Sequence, residues 1–151
     1  MEIDKKIEEN FKRFFKHIAI DETDRVLVVL KGHLLVEELL REYIKARVTN
    51  HKYLDDARLT FHQCLCIARS LSNNNDNSKL WKSIKLLNTL RNKLAHSLEP
   101  NDIDNKIDEF VNYLTMDDIK GDYMDDDKRY GVLSTCLLTV CSSLAVTINI
   151  K

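Results

Sequence analysis

Glycine and proline are nearly absent from this chain, with three and one among 151 residues. An all-β or α/β protein needs more punctuation than that for its turns. Leu, Lys, Glu and Ile abound instead, so the composition points to an all-α fold. The same scarcity removes phosphate-cradling loops. Gly32 and Gly121 stand alone, and no P-loop, dinucleotide fingerprint, zincin motif or internal repeat occurs. The four cysteines, Cys64, Cys66, Cys136 and Cys141, fall inside apolar helical patterns rather than at zinc-ribbon or redox spacing, and read as buried, reduced thiols. The acidic stretch Asp122 to Asp127 lacks the spacing, central glycine and terminal glutamate of a calcium loop. Neither a metal site nor a cofactor is expected. The opening residues are charged from Glu2 onward and lack the apolar run of a secretory signal, which argues for a cytoplasmic location.

What is present is helical periodicity on a scale suited to one domain, residues 1–151. Ile3, Ile7, Phe11, Phe14, Phe15 and Ile18 form an opening amphipathic helix. Thr23 or Asp24 can cap a long second helix, apolar over much of its circumference and central to the bundle. A third helix fits Leu54 to Leu71, and a polar tract from Ser72 to Ser78 follows it. A fourth runs from about Lys79 to Ser97, started by Asn77 or Ser78 and stopped by Pro100. A fifth begins at Asn101 or Asp102 and carries Ile103, Ile107, Phe110, Val111 and Leu114 in phase. Thr115 to Gly131 reads as an exposed acidic loop. The uncharged stretch Val132 to Ile150 approaches the length of a membrane span. Seven polar residues dilute it, while Leu133, Leu137, Val140, Leu144 and Ile148 recur along one face. It therefore reads as a core helix with no membrane partner, a tail anchor being the rival. The expected architecture is an antiparallel bundle of five to six helices.

The net charge of −1 conceals a local asymmetry. Lys79 to Leu98 holds five basic residues and no acid, whereas Glu99 to Asp127 holds eleven acids against two bases. Lys82, Lys85, Thr89, Asn92 and His96 follow three- and four-residue steps and form one polar stripe, with Lys93 on its flank. The stripe is either a solvated face or an RNA track. Arg91 falls instead with Ile84, Leu87, Leu94 and Leu98 on the apolar seam. A buried guanidinium needs a partner: Glu37 or Glu38 of the second helix, a ligand phosphate or a second subunit. On a straight helix, about 140° and about 7.5 Å separate Arg91 from His96. His96 can be a helix-terminal residue on the surface or a proton-transfer group. His33, His51 and His62 sit on separate elements and read as structural.

Arg91-Asn92-Lys93-Leu94-Ala95-His96, preceded by LLNTL and followed by Glu99-Pro100, resembles the Arg-x4-His motif of the HEPN superfamily of small α-helical proteins. The long helix containing VEELLREYI adds to the likeness, which covers roughly residues 25 to 115. With the trailing apolar helix, the layout is also similar to the mannitol operon repressor branch of related proteins. Many HEPN proteins are metal-independent endoribonucleases of toxin or antiphage systems, active as homodimers. The resemblance implies Arg91, Asn92 and His96 as catalytic residues, Lys82, Lys85 and Lys93 as RNA contacts, and an antitoxin or regulatory protein as a further partner. Other members use the fold for regulation without catalysis. The tyrosine that toxins paired with nucleotidyltransferase antitoxins carry two residues after the histidine is Leu98 here.

Overall fold

The computed structural model describes residues 2–18, 24–73, 78–96, 102–115 and 126–149. Among them every regular element is an α-helix, and there are seven: α1 (Glu2–His17), α2 (Arg25–Lys45), α3 (Lys52–Asp56), α4 (Phe61–Ser70), α5 (Ser78–His96), α6 (Ile103–Thr115) and α7 (Asp126–Asn149). The all-α expectation holds, with more helices than the five to six foreseen.

Local chemistry accounts for the boundaries. Asp24 sits in extended backbone and accepts a hydrogen bond from the Leu27 N–H at 3.0 Å, capping α2. The single helix expected over Leu54 to Leu71 is two. Arg58 turns the chain with φ of 46°, and Thr60 restarts it with a capping box. Thr60 Oγ1 accepts from the Gln63 N–H at 3.3 Å, and Gln63 Oε1 accepts from the Thr60 N–H at 2.8 Å. Apolar phase continues across that break, which is why periodicity alone missed it. The acidic loop is also shorter than expected, because α7 begins at Asp126. Residues 116–125 lie outside the described residues, as do Asn77 and Pro100, the expected start and stop signals around α5.

Helix α2 is the hub. Val28, Val29, Gly32, His33, Val36, Leu39, Leu40, Tyr43 and Ile44 are all buried. Helix α7 packs directly on its backbone. A Cβ at Gly32 would fall 2.6 Å from Leu137 Cδ1, so a larger residue there would force the Leu137 side chain to shift. Further along, Arg47 Nη2 donates to the Thr147 carbonyl at 2.6 Å. Residue 32 beside 137, and 47 beside 147, make α2 and α7 parallel. This corrects the wholly antiparallel arrangement expected. The α2–α5 and α5–α6 pairings do run antiparallel. Against α5, Tyr43 meets Trp81 edge-on at 5.7 Å while His33 meets Asn88. Between α5 and α6, Lys79 Nζ donates to the Leu114 carbonyl at 2.8 Å and Lys93 approaches Asp102. Arg25, 11% exposed, fastens α6 to the start of α2 by donating to Asp104 Oδ1 and Asp108 Oδ1, each at 2.7 Å.

Gly131–Ile148 is long and apolar enough to cross a membrane, the one such span among the described residues. In the fold it packs inward, with Leu133, Leu137, Val140 and Leu144 buried. Cys64, Cys136 and Cys141 are buried as expected, and burial pushes the thiols of Cys136 and Cys141 up to about 11 and about 12. Cys66 departs from the expectation. It points outward from α4, because Phe61, Cys64, Leu65 and Ala68 already supply that helix's buried face.

The α2–α7 contact makes a direct prediction. Gly32→Val forces a branched side chain onto the fully buried Leu137 and should lower the unfolding free energy by about 1–3 kcal/mol, read from urea titration.

Candidate functional site

The core face of α5 is made by Leu80, Trp81, Ser83, Ile84, Leu87 and Leu90. Its neighbouring row runs through Ile84 and Asn88 to Arg91, and each step C-terminal along that row is less covered. Arg91 is exposed. This overturns its expected place in the seam, because Leu90 rather than Arg91 takes the inward position after Leu87, and Leu94 follows half-buried. The alternative of a bundle salt bridge fails with it. Glu37 receives Arg41 at 2.7 Å, and Glu38 pairs with Arg13. Among the described residues, Arg91 meets no carboxylate. Its recorded contact is a long one, 3.4 Å from Nη1 to the neutral Asn92 Oδ1, which leaves the guanidinium charge uncompensated.

Asn92 and His96 are exposed, as the polar stripe requires. His96 is the last residue of α5 and shares its last turn with Lys93, where positive charge suits the helix dipole. Because α5 remains helical to His96, the separation of about 140° and about 7.5 Å from Arg91 applies unchanged. The two side chains leave the helix in divergent directions.

The three lysines are not equivalent. Lys82 Nζ lies 4.6 Å above the Tyr113 ring, and Lys93 Nζ is 3.7 Å from Asp102 Oδ2, so both lean on or toward α6. Asp102 is held below the usual carboxylate range, first by the Asn105 amide and then by Lys93 and Lys106. Lys85 is exposed and meets no carboxylate among the described residues. Two shallow depressions lie between α1 and α7 and between α2 and the α3–α4 turn. Neither includes Arg91 or His96.

A second polar group, not singled out in the sequence, adjoins Arg91. His33 is 4% exposed on α2, its Nε2 is 3.2 Å from Asn88 Oδ1, and its ring stacks on Phe61 with centroids 4.1 Å apart. With the amide oxygen facing it, Nε2 carries the proton and donates. Burial holds the imidazole below its ordinary pKa. The Asn88 contact and Glu37 oppose that shift, while the Arg91 charge adds to it. His33 thus joins α2, α4 and α5 at one point, one helical turn below Arg91. The available signal was the spacing of His33, Glu37 and Arg41 in four-residue steps along one edge of α2.

No protein family, curated protein or solved structure matches the chain.

The buried imidazole predicts a pH dependence of stability. A histidine whose folded pKa lies below its unfolded value of about 6.5 stabilises the fold fully above that pH, and the contribution is lost as pH falls toward the folded pKa. His33→Gln should be destabilised near pH 8, and its deficit relative to wild type should shrink by about pH 5, as read by urea titrations at both values.

Proposed function

We propose that the chain is an HEPN-type, metal-independent endoribonuclease of the toxin or antiphage class, working on RNA in the cytoplasm as a homodimer. The observation that carries this reading is an exposed Arg91, free of any carboxylate among the described residues, beside exposed Asn92 and above buried His33 and its part-buried partner Asn88. An uncompensated guanidinium with a neutral amide next to it suits a phosphodiester oxygen. In the reaction, the RNA 2′-hydroxyl attacks the adjacent phosphorus. The O2′–P bond forms, the P–O5′ bond breaks, and the products end in a 2′,3′-cyclic phosphate and a 5′-hydroxyl. Arg91 stabilises charge on the phosphorane, Asn92 orients a phosphate oxygen, and His96 transfers the proton. Lys85 is the lysine best disposed to meet flanking phosphate, with Lys82 and Lys93 needing to leave Tyr113 and Asp102. DNA lacks the attacking hydroxyl and would be inert.

The homodimer follows from divergence. Arg91 and His96 of one chain do not aim at one atom, so a second copy must complete the cleft. Helix α2 offers a surface for it. Val26, Leu30 and Leu34 are 38, 38 and 60% exposed in four-residue steps. Leu30 precedes His33 by three residues and Leu34 precedes Glu37 by three, so this apolar stripe borders the polar group near Arg91.

A second reading is a noncatalytic regulator or protein-interaction module of the same fold, similar to mannitol operon repressor proteins and meeting an antitoxin or regulatory protein. The engagement of Lys82 and Lys93 with α6 favours it, since those cations are partly committed within the chain.

Purified protein incubated with labelled RNA in chelator should cut it to cyclic-phosphate ends. His96→Ala should slow cleavage by about 10²–10⁴-fold, and Arg91→Ala by about 10²–10³-fold. A folded dimer that leaves RNA intact would sink the enzyme reading and favour the regulator. Leu34→Glu should convert dimer to folded monomer in light scattering and abolish cleavage with Arg91 and His96 intact.

A further inference from the structure

Helix α4 carries a polar pair that the proposed ribonuclease site does not use. His62 and Cys66 are four residues apart on its outer face, both exposed, with His62 Nε2 3.6 Å from Cys66 Sγ. Cys66 is the exposed member of the cysteine set, and Cys64, its near neighbour in sequence, faces the core. The separation of nitrogen and sulfur is that of a thiol–imidazole hydrogen-bond contact, and it is also the spacing of a metal chelate. In a tetrahedral zinc site, with Zn–S of about 2.3 Å and Zn–N of about 2.0–2.1 Å, the two ligand atoms stand about 3.5–3.6 Å apart. The pair already has that bite. Its backbone is fixed by the capping box at Thr60 and by the burial of Phe61, Leu65 and Ala68 on the opposite face, so little ordering is required when an ion arrives.

We propose that His62 and Cys66 form a chelating site for a thiophilic divalent metal ion of the zinc type. Imidazole nitrogen and thiolate sulfur are the donors that zinc and cobalt(II) prefer, whereas magnesium and calcium need oxygen. Coordination replaces the S–H bond by a metal–sulfur bond. The thiol proton passes to buffer, the imidazole enters neutral through Nε2, and no oxidation state changes. Two tetrahedral positions remain for water or another ligand, so the ion is exchangeable rather than a structural staple. No group of three or more ligating side chains exists among the described residues, so only two protein donors would hold an ion here. The site is independent of the ribonuclease reading, whose chemistry needs no metal.

The full chain, reduced and freed of metal, can be titrated with cobalt(II) and followed in the near ultraviolet for thiolate-to-metal charge transfer. A saturable band is expected, displaced by zinc, and lost in both Cys66→Ser and His62→Ala while their circular dichroism matches wild type. Zinc should also slow alkylation of Cys66 in wild type and lose that protection in His62→Ala. Absence of the band, or a band that survives either substitution, overturns the chelate.

Discussion

Helix α2 can hide its apolar surface only if other helices pack around it, and the rest of the molecule is arranged by that requirement. Its nine buried residues face in several directions, so no single neighbour suffices. Helix α7 takes the side opened by Gly32. Phe61 of α4 covers His33, Trp81 of α5 meets Tyr43, and the acids of α6 hold Arg25. Burial of the apolar side chains drives the assembly, and the polar contacts determine which helix goes where. The His33–Asn88 hydrogen bond is the clearest case. A buried imidazole must have a partner, and meeting that need sets the level of α5 on α2 and hence the height at which Arg91 emerges.

That arrangement divides α5 between stability and chemistry. Leu80 through Leu90 commit one face to the core. The opposite stripe carries the lysines, Asn92 and His96, and the boundary row carries Asn88 and Arg91. An arginine on such a boundary keeps its charge in water while its stem lies along apolar surface. It avoids the desolvation that a seam position would impose, and it remains available to an anion. The acidic character of the following segment acts on Lys93, which Asp102 draws toward α6.

Much of the helix layout was legible because amphipathic period is set by the need to bury one face. Helices α1, α2, α5 and α6 are placed to within a few residues, and of the two candidate caps, Thr23 and Asp24, the fold uses Asp24. The division between α3 and α4 was not, because Ala57 and Phe61 stay in phase across a turn that depends on one left-handed residue, Arg58. Arg91 was misplaced for a related reason. A helical wheel cannot decide between Leu90 and Arg91, adjacent in sequence and 100° apart, until the direction of the packing partner is known. The motif residues themselves were visible as a spacing. Their divergence is visible too, whereas His33 beside Asn88 joins residues distant in sequence, and the spacing of His33, Glu37 and Arg41 gives no hint of the Asn88 half of that contact.

The parallel pairing of α2 and α7 has a consequence for how the chain reaches this state. Gly32 meets Leu137, and Arg47, lying 3.7 Å over the Tyr43 ring, ties down the carbonyl of Thr147. The central helix is therefore completed by a segment about a hundred residues later. During synthesis α2 emerges long before its largest neighbour and carries an uncovered apolar groove through the appearance of α3 to α6. Contacts of such long range form later than local ones and put the burden of solubility on the unfinished chain. The glycine that lets two helices touch most closely thus also sets when the molecule is finished.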